Sequence, residues 1–441
     1  MLDIQFIRDN QDKIRETLKN KNIDLDFDRF LAVDEERKKI LQAHEELKSL
    51  KNDLNDLMAT AKTPEERDPV ILKGKEIKEK LDALEPQYTA IKEEFDALMA
   101  KMPTIPSGDT PVGESDADNK VVGEFGEKKS FSFTPKTHIE LGKSLDLLDL
   151  ERGAKVGGYR GYYLKNEGVM LVMGLMLYAM QKMVARGYTP FIPPTLVKSF
   201  SLFGSGYFKG TNYDGGVDEI YKVATSDREA DGKESKEEKF LVGTAEPSLL
   251  AYYSGEVLDG KNLPLKLAGF SQCYRSEIGS YGKDTKGMYR VHEFMKVEQV
   301  VLAPADVEGA NALQEEMLSI SEEIHTELGL PYRKLQISTG DMGVGKYRMF
   351  DLEAWMPGLG RYGETGSASN FLDWQSRRLN VKYVDPVTRE KKFVYMLNNT
   401  ALPSPRIFIA IIENYQQEDG SIVVPEVLRP FVGKDVIKPK V

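Results

Sequence analysis

The chain has 441 residues, 41% apolar and 29% charged, with a formal net charge of -10. That length is expected to hold two or three domains with a substantial core, and the net acidity means that any polyanion partner must meet locally gathered Lys and Arg. The single cysteine, Cys273, excludes a disulfide framework and a Cys-based zinc cluster, and His44, His138, His292 and His325 show no metal-ligand spacing, which together imply a reducing, intracellular (cytoplasmic) setting.

The opening MLDIQFIRDNQDKIRE is charged and helix-like, without the regions of a signal peptide. From Ile40 the spacing becomes heptad: Ile40, Ala43, Leu47, Leu50, Leu54 and Leu57. A polar break at Thr60 to Asp68 contains Pro64, and the pattern resumes as Ile77, Leu81, Leu84, Tyr88, Ile91, Phe95 and Leu98. Two such runs joined by a turn predict an antiparallel coiled coil about 40 Å long, with a kink at Pro86 rather than a second domain. Its outer surface interleaves acids with Arg37, Lys38, Lys39, Lys48, Lys51, Lys73, Lys75, Lys78 and Lys80, which suits either a solvated, self-paired face or a lever against a phosphate backbone.

After Lys101 the text turns to MPTIPSGDTPVGESDADNK, rich in Pro, Gly, Asp and Ser, and reads as a linker. The expected division is a helical arm over 1–102, with its coiled coil over about 35–102, a linker over 103–120 and a mixed domain over 121–441. Val169 to Met183 is the longest apolar run, but Gly174 and Gln181 interrupt it and it is expected to fall short of a membrane span.

The most informative segment runs from Gln272 to Gln299, QCYRSEIGSYGKDTKGMYRVHEFMKVEQ. Arg275-Ser276-Glu277 is followed by a Gly-Lys-Asp loop and then by period-two alternation of Arg290, His292, Phe294, Lys296 and Glu298, which predicts one strand face of cations, an aromatic ring and a carboxylate, with Val291, Met295 and Val297 opposite. Three further segments carry polar chemistry. Phe240 to Glu246 is a strand ending in Thr244, Ala245 and Glu246; RYGETGSASNFLDWQSRR places Glu364 and Ser367 three apart near a glycine turn; in YMLNNTALPSPRIFIAIIENYQ, Asn398 and Thr400 share a strand face and Arg406 opens an amphipathic helix. No Walker loop, no GxGxxG and no Ser-His-Asp order is present. These segments offer arginines for phosphates, carboxylates for a metal or an amine, and an aromatic for a flat base.

In these motifs the chain resembles the seryl-tRNA synthetases, of the class II aminoacyl-tRNA synthetases. RSE…RVHEFMKVE looks like the family's motif 2, GYTPFIPPTLV with Pro193 and Pro194 like motif 1, and NNTALPSPR like motif 3. The resemblance implies an α+β fold: an N-terminal antiparallel coiled-coil hairpin that binds tRNA, and a catalytic domain on an antiparallel sheet flanked by helices. It implies ATP-dependent activation of L-serine, charging of serine tRNA (selenocysteine tRNA is left open), a homodimer, magnesium held with ATP, and no zinc. By resemblance Arg275 contacts the α-phosphate and the serine carboxylate, Glu277 the adenine amino group, and Phe294 stacks on adenine with the Val291 backbone close by. Ser276 belongs to the same nucleotide-binding set. Arg406 is expected on the γ-phosphate, and Glu364 and Ser367 on ATP through magnesium, with Thr365 and Gly366 between them. Thr244, Ala245 and Glu246 are expected to receive the serine ammonium, and Glu298 and Thr400, with Asn398 beside them, its hydroxyl.

The chain departs from the family in ETGSASNF at Glu364 to Phe371, in TAEPSL from Thr244, and in a charged insertion, Thr225 to Lys239, expected to be a solvated hairpin loop. Two other readings stay open at this point: a synthetase-like ligase for a carrier protein, and a non-catalytic regulatory homologue.

Overall fold

The computed structural model describes residues 2–228, 230–278 and 286–440. The Gly-Lys-Asp loop of the central segment lies outside these residues. Four helices come first: α1 (Ile4–Asp9), α2 (Gln11–Asn20), α3 (Phe27–Thr60) and α4 (Pro64–Ala100). The carboxylate of Asp26 caps α3 by accepting from the Arg29 amide, and Thr63 and Glu66 form a reciprocal capping box at the start of α4. The expected break at Thr60 to Asp68 therefore shrinks to three residues, 61–63. Pro64 stands at the first helical position, where a missing N–H costs nothing and the ring presets φ. Helix α4 runs on through Pro69 and Pro86, so Pro86 divides no domain.

The base of the hairpin has a true core of Ile7, Ile14, Phe27, Phe30, Met99 and Met102, with Phe27, Phe30 and Phe95 stacked and Arg37 over the Phe95 ring at 4.2 Å. Farther out the seam holds Leu81, Ile91 and His44, the last stacked on Tyr88 at 4.7 Å and bonded to Glu85 at 2.8 Å. Toward the tip it thins: Leu50, Leu57, Ile71 and Leu72 are exposed.

The second part is built on an eight-stranded sheet: β1 (Lys120–Phe125), β2 (Thr189–Phe191), β3 (Leu265–Tyr274), β4 (Glu293–Ala303), β5 (Tyr332–Gln336), β6 (Arg348–Met356), β7 (Arg361–Asn370) and β8 (Tyr395–Pro403). Its spatial order is β1-β5-β6-β7-β8-β4-β3-β2, antiparallel at every step except β3 to β2. Helices α5 (Glu167–Ala185), α6 (Glu246–Ala251), α7 (Val307–Glu327), α8 (Trp374–Leu379) and α9 (Ser404–Asn414) surround it. Val297, Val301, Leu397 and Leu402 from the central strands and Ile407 to Ile412 from α9 are fully buried in one cluster. The fold is the α+β arrangement expected from the sequence.

Helix α5 corrects one expectation. It extends beyond the apolar run at both ends and, by length and composition, is the one helix among the described residues able to cross a membrane. It packs instead against β2, β3 and β4, burying Leu171, Val172, Leu175, Met176, Ala179 and Met183. Its outer side still carries Val169, Met170, Met173, Leu177 and Val184 in the open.

The segment 103–120 is docked rather than loose. Thr104 and Ser107 donate their amides to the carbonyls of Val344 and Tyr347, and Pro111 accepts from Thr339. The charged insertion joins two short antiparallel strands, Tyr221–Lys222 and Lys239–Leu241, and is mostly exposed, as expected of a hairpin loop.

Candidate active site

A cleft of about 700 Å³ opens over β4, β6, β7 and β8. At one end the neighbouring strands β4 and β8 are paired so that Glu298 lies opposite Thr400, and alternation brings Phe294, Lys296 and Glu298, with Asn398 and Thr400, to the same cavity. Glu298 is 2% exposed. Its Oε2 accepts from the hydroxyls of Thr244 at 3.0 Å and Thr400 at 3.1 Å, and lies 3.0 Å from Lys296 Nζ. Beside it, Glu246 Oε1 accepts from Asn398 Nδ2 and Gln375 Nε2, both at 2.7 Å. Burial, reinforced by the neighbouring charge of Glu298, pushes the Glu246 carboxyl up to about 7. This end is a polar receptor with almost every group already bonded.

The period-two face is shorter than the sequence suggests. Strand β4 begins at Glu293, so Arg290 and His292 precede it. The backbone there closes the hairpin: the Arg275 amide donates to the His292 carbonyl, and His292 Nδ1 lies 2.9 Å from the Arg275 carbonyl. The stretch 289–292 is irregular, and Tyr289, Arg290 and Val291 all line the cleft, with the Val291 side chain buried in the main core. Arg275 donates from Nε to the Gly243 carbonyl at 3.3 Å, and its guanidinium sits 5.6 Å from the Phe294 ring centre. Glu277, held at φ +53°, is bonded by Arg290 at 3.2 Å with Arg160 at 3.8 Å.

Glu364 and Ser367 lie on strand β7, which opens directly after the glycine turn at 357–360. Residues three apart on a regular strand face opposite ways. Here Glu364 pairs with Glu353 and Gly366 with Leu352, leaving Thr365 as an extra residue. The bulge turns the Thr365 side chain to the rear and returns Ser367 to the cleft beside Glu364, while the backbone of Thr365 and Gly366 still lines the cleft. The Thr365 hydroxyl faces away, 2.7 Å from His325 Nε2 on α7 and donating to the Leu352 carbonyl, so only its backbone can serve a ligand. Ala245 and Ser276 are likewise off the cleft wall: Ala245 packs beneath Gly269, and the Ser276 hydroxyl is buried. A small side chain and a hydroxyl in those motifs gave no sign of which way they turn.

Arg406, in the first turn of α9, reaches back to the Glu364 carbonyl at 3.0 Å and carboxylate at 3.1 Å, and stacks over Tyr289 at 4.6 Å. Burial raises the Glu364 carboxyl, but Arg406 and then Arg275 outweigh it and hold it below the usual range. Asp351, opposite Ser367 on β6, is held well above its usual range by burial and by Glu364, and its Oδ1 is buried with no hydrogen-bond partner among the described residues. Three oxygen-bearing side chains thus gather at one point of the wall, a donor set that fits a hard divalent cation. Sequence reasoning missed Asp351, Tyr289 and Lys346 on this cleft, and Gln375 buried behind Glu246. Strand alternation through RMFDLEAW could have pointed to Asp351; nothing local singles out Gln375.

The histidines are dispersed: His44 in the arm, His138 against Glu413, His292 at the hairpin neck and His325 behind β7.

Comparison with known proteins bears on this geometry directly. Residues 1–106 match the model for the seryl-tRNA synthetase N-terminal domain, and residues 221–415 that for the tRNA synthetase class II core domain (G, H, P, S and T). The serine–tRNA ligase of Borreliella afzelii is 39% identical with 99% of each chain covered, and that of Dictyoglomus turgidum is 38% identical with all of each chain covered. Among solved structures, seryl-tRNA synthetase from Pyrococcus horikoshii complexed with ATP matches with a TM-score of 0.86 at 34% identity over all of both chains. The cytoplasmic serine–tRNA ligase of Naegleria fowleri in complex with AMP matches with 0.81 at 29% identity, covering 98% of this chain and 96% of that one. With both family models matched and homology running from end to end, the chain belongs to the seryl-tRNA synthetases.

Proposed function

We propose that this cleft joins L-serine to ATP, releasing pyrophosphate, and then passes the seryl group from the adenylate to the 3′ end of serine tRNA. The chain is an ATP-dependent, AMP-forming serine–tRNA ligase. The observation that carries the site assignment is the pair of buried carboxylates, Glu298 ringed by two hydroxyls and Lys296, and Glu246 beside it. Serine's ammonium goes to Glu246 and its hydroxyl to Glu298 and Thr400. A substrate without that hydroxyl leaves these groups short of a partner, which is how such a site discriminates.

The reaction brings a carboxylate onto the α-phosphate, so like charges must be neutralised and held in line; no covalent nucleophile is needed. Arg275 spans the serine carboxylate and the α-phosphate, Phe294 stacks on adenine, Glu277 takes its amino group, and Arg406 exchanges Glu364 for the γ-phosphate. Glu364 and Ser367, with Asp351 behind them, would hold Mg2+, which offsets phosphate charge when bound with ATP.

The same reading covers the rest of the chain. Residues 1–102 form the tRNA arm, 103–120 the connection and 121–441 the catalytic domain. Lys48, Lys51, Lys73, Lys75, Lys78 and Lys80 are exposed near the tip without a carboxylate within 4.0 Å among the described residues, which favours the phosphate-backbone role over self-pairing. The apolar outer stripe of α5, with Ile192 at 85% exposure beside it, favours a homodimer with that face inside. The buried, unpaired Cys273 suits the reducing cytoplasm.

Serine-dependent ATP–pyrophosphate exchange, followed by charging of total tRNA, tests the reading. Exchange and charging are expected with serine; exchange without charging would favour a carrier ligase, and no exchange with serine would end it. Sedimentation at micromolar concentration tests the dimer.

A further inference from the structure

Between β5 and β6 the chain crosses the cleft as Asp341-Met342-Gly343-Val344-Gly345-Lys346, and four features of that loop belong together. Lys346 lines the cleft, half-buried, and among the described residues its Nζ has a single hydrogen-bond partner, the Met349 thioether at 3.1 Å. No carboxylate lies within 4.0 Å of it among the described residues. A partly desolvated ammonium that faces sulfur rather than a carboxylate gains when a ligand brings an anion to it. The charges that act on it come from both ends of the cleft, Asp351 and Glu364 on one side and Glu246 on the other. It therefore feels carboxylates of both the site assigned to the amino group and the site assigned to the phosphates.

The loop is held from the other half of the molecule. Lys21, just beyond α2 and 5% exposed, donates to three of its carbonyls: Gly343 at 3.4 Å, Val344 at 3.1 Å and Lys346 at 2.7 Å. Gly345 lies so close to Trp374 that a Cβ there would come 2.5 Å from the ring, and Trp374 in turn donates to the Met102 carbonyl at 3.0 Å. The backbone carrying Lys346 is thus fixed by the arm's base, not by the sheet alone. Two buried ammonium groups near one another also repel, and that repulsion adds to burial in drawing the Lys21 pKa down.

We propose that Lys346 is a further catalytic residue, a cation that contacts the reacting carboxylate–phosphate junction, and that Lys21 is its positioning residue, reaching across from the N-terminal domain. This rests on the assignment of the cleft to serine activation. Lys346 neutralises charge without taking part in bond making; the serine carboxylate oxygen bonds to the α-phosphorus and pyrophosphate leaves with the broken bond's electron pair. Lys21 touches no substrate, so its effect must pass through the loop.

The test uses the full chain with Lys346→Met, Lys346→Arg, Lys21→Met and the Lys21→Met/Lys346→Met double variant, read by serine-dependent exchange and, separately, by ATP binding. Lys346→Met should lower kcat about 100-fold, the scale of losing one charge-stabilising donor, with ATP affinity changed less than about twofold and Lys346→Arg recovering part of the loss. Lys21→Met should lower kcat about tenfold with little change in serine KM, and the double variant should be no worse than Lys346→Met alone, because a positioning effect has nothing left to position. Exchange by Lys346→Met within about twofold of the parent overturns the catalytic role; losses that multiply in the double variant overturn the link to Lys21. If Lys346→Met fails to bind ATP, Lys346→Gln, which keeps hydrogen bonding without charge, decides by the same criterion. Failure of the parent chain to exchange with serine is a different result: it removes the reading of the cleft, and this proposal with it.

Discussion

The two ends of the cleft are built on different principles. At the end proposed for serine the polar groups satisfy one another before any ligand arrives: Glu298 holds Thr244, Thr400 and Lys296, and Glu246 holds Asn398 and Gln375. At the end proposed for the nucleotide the groups are held in ion pairs, Arg406 with Glu364 and Arg290 with Glu277, which a bound ATP would have to open. The first arrangement sits on adjacent central strands, where backbone pairing fixes the side chains. The second draws on a hairpin neck, a bulge and a helix start. A rigid receptor suits a small substrate whose rivals differ by one hydroxyl or one methyl, because discrimination requires that the pocket cannot relax. An exchangeable pair suits a polyanion, since each phosphate repays the charge contact it displaces.

The largest expected effect follows from breaking the rigid end. Glu298→Ala leaves two buried hydroxyls and Lys296 without their common acceptor, and serine-dependent exchange should fall by roughly 1,000-fold or more. ATP affinity, measured without serine, should stay nearly unchanged. Equal losses in both would mean that the two ends are not separate. Next comes the exchangeable end. Arg406→Ala should cost about 100-fold in kcat/KM for ATP while leaving serine KM within a few-fold, and a larger change in serine KM than in ATP dependence would reverse the assignment.

The difference between the ends also explains what could be read without a structure. The arm was legible because two heptad runs joined by a short turn can fold back on each other as an antiparallel pair, although its turn was drawn too long where Pro64 reads as a breaker but acts as a helix start. Glu298, Thr400 and Asn398 were legible because strand alternation carries them to one face. Glu364 and Ser367 came together only through the resemblance, since three-residue spacing on a strand argues against a shared face and the bulge that rescues it leaves no mark in the local sequence. Asp351 and Lys346 were missed because their meaning lies in partners from other segments, Ser367 across the sheet for one and Lys21 across the domains for the other.

A smaller effect separates the ends by pH. In its proposed role Glu246 must be ionised to receive an ammonium, and burial with Glu298 has raised its carboxyl to about 7. As pH falls below 7 the acid form prevails, so kcat/KM for serine should drop about tenfold per unit while ATP affinity moves far less. Glu246→Gln should be weaker throughout and should lose that slope. An unchanged slope in the variant would move the titration to another group.

The smallest effect concerns stability behind the bulge. His325 is wholly buried, its Nδ1 2.7 Å from the Ser321 carbonyl and its Nε2 2.7 Å from the Thr365 hydroxyl, and burial lowers its pKa to about 4. In the unfolded chain the imidazole titrates near its ordinary value of 6.5. Between these values the unfolded state binds the extra proton, so stability is full above about 6.5, falls as pH drops toward 4, and levels off below. The loss attributable to this one group is on the order of 3 kcal/mol, and it should be seen as a falling urea midpoint. His325→Gln keeps a donor and an acceptor without titrating, so it should flatten that part of the curve while lowering stability at pH 7. Because Thr365 is the extra residue of the bulge, the variant should also disturb the return of Ser367 to the cleft. A modest rise in the KM for ATP, by about two- to fivefold as expected for about 0.5–1 kcal/mol, would then accompany it, whereas a flattened pH curve with unaltered ATP dependence would mean that the bulge holds its shape without His325.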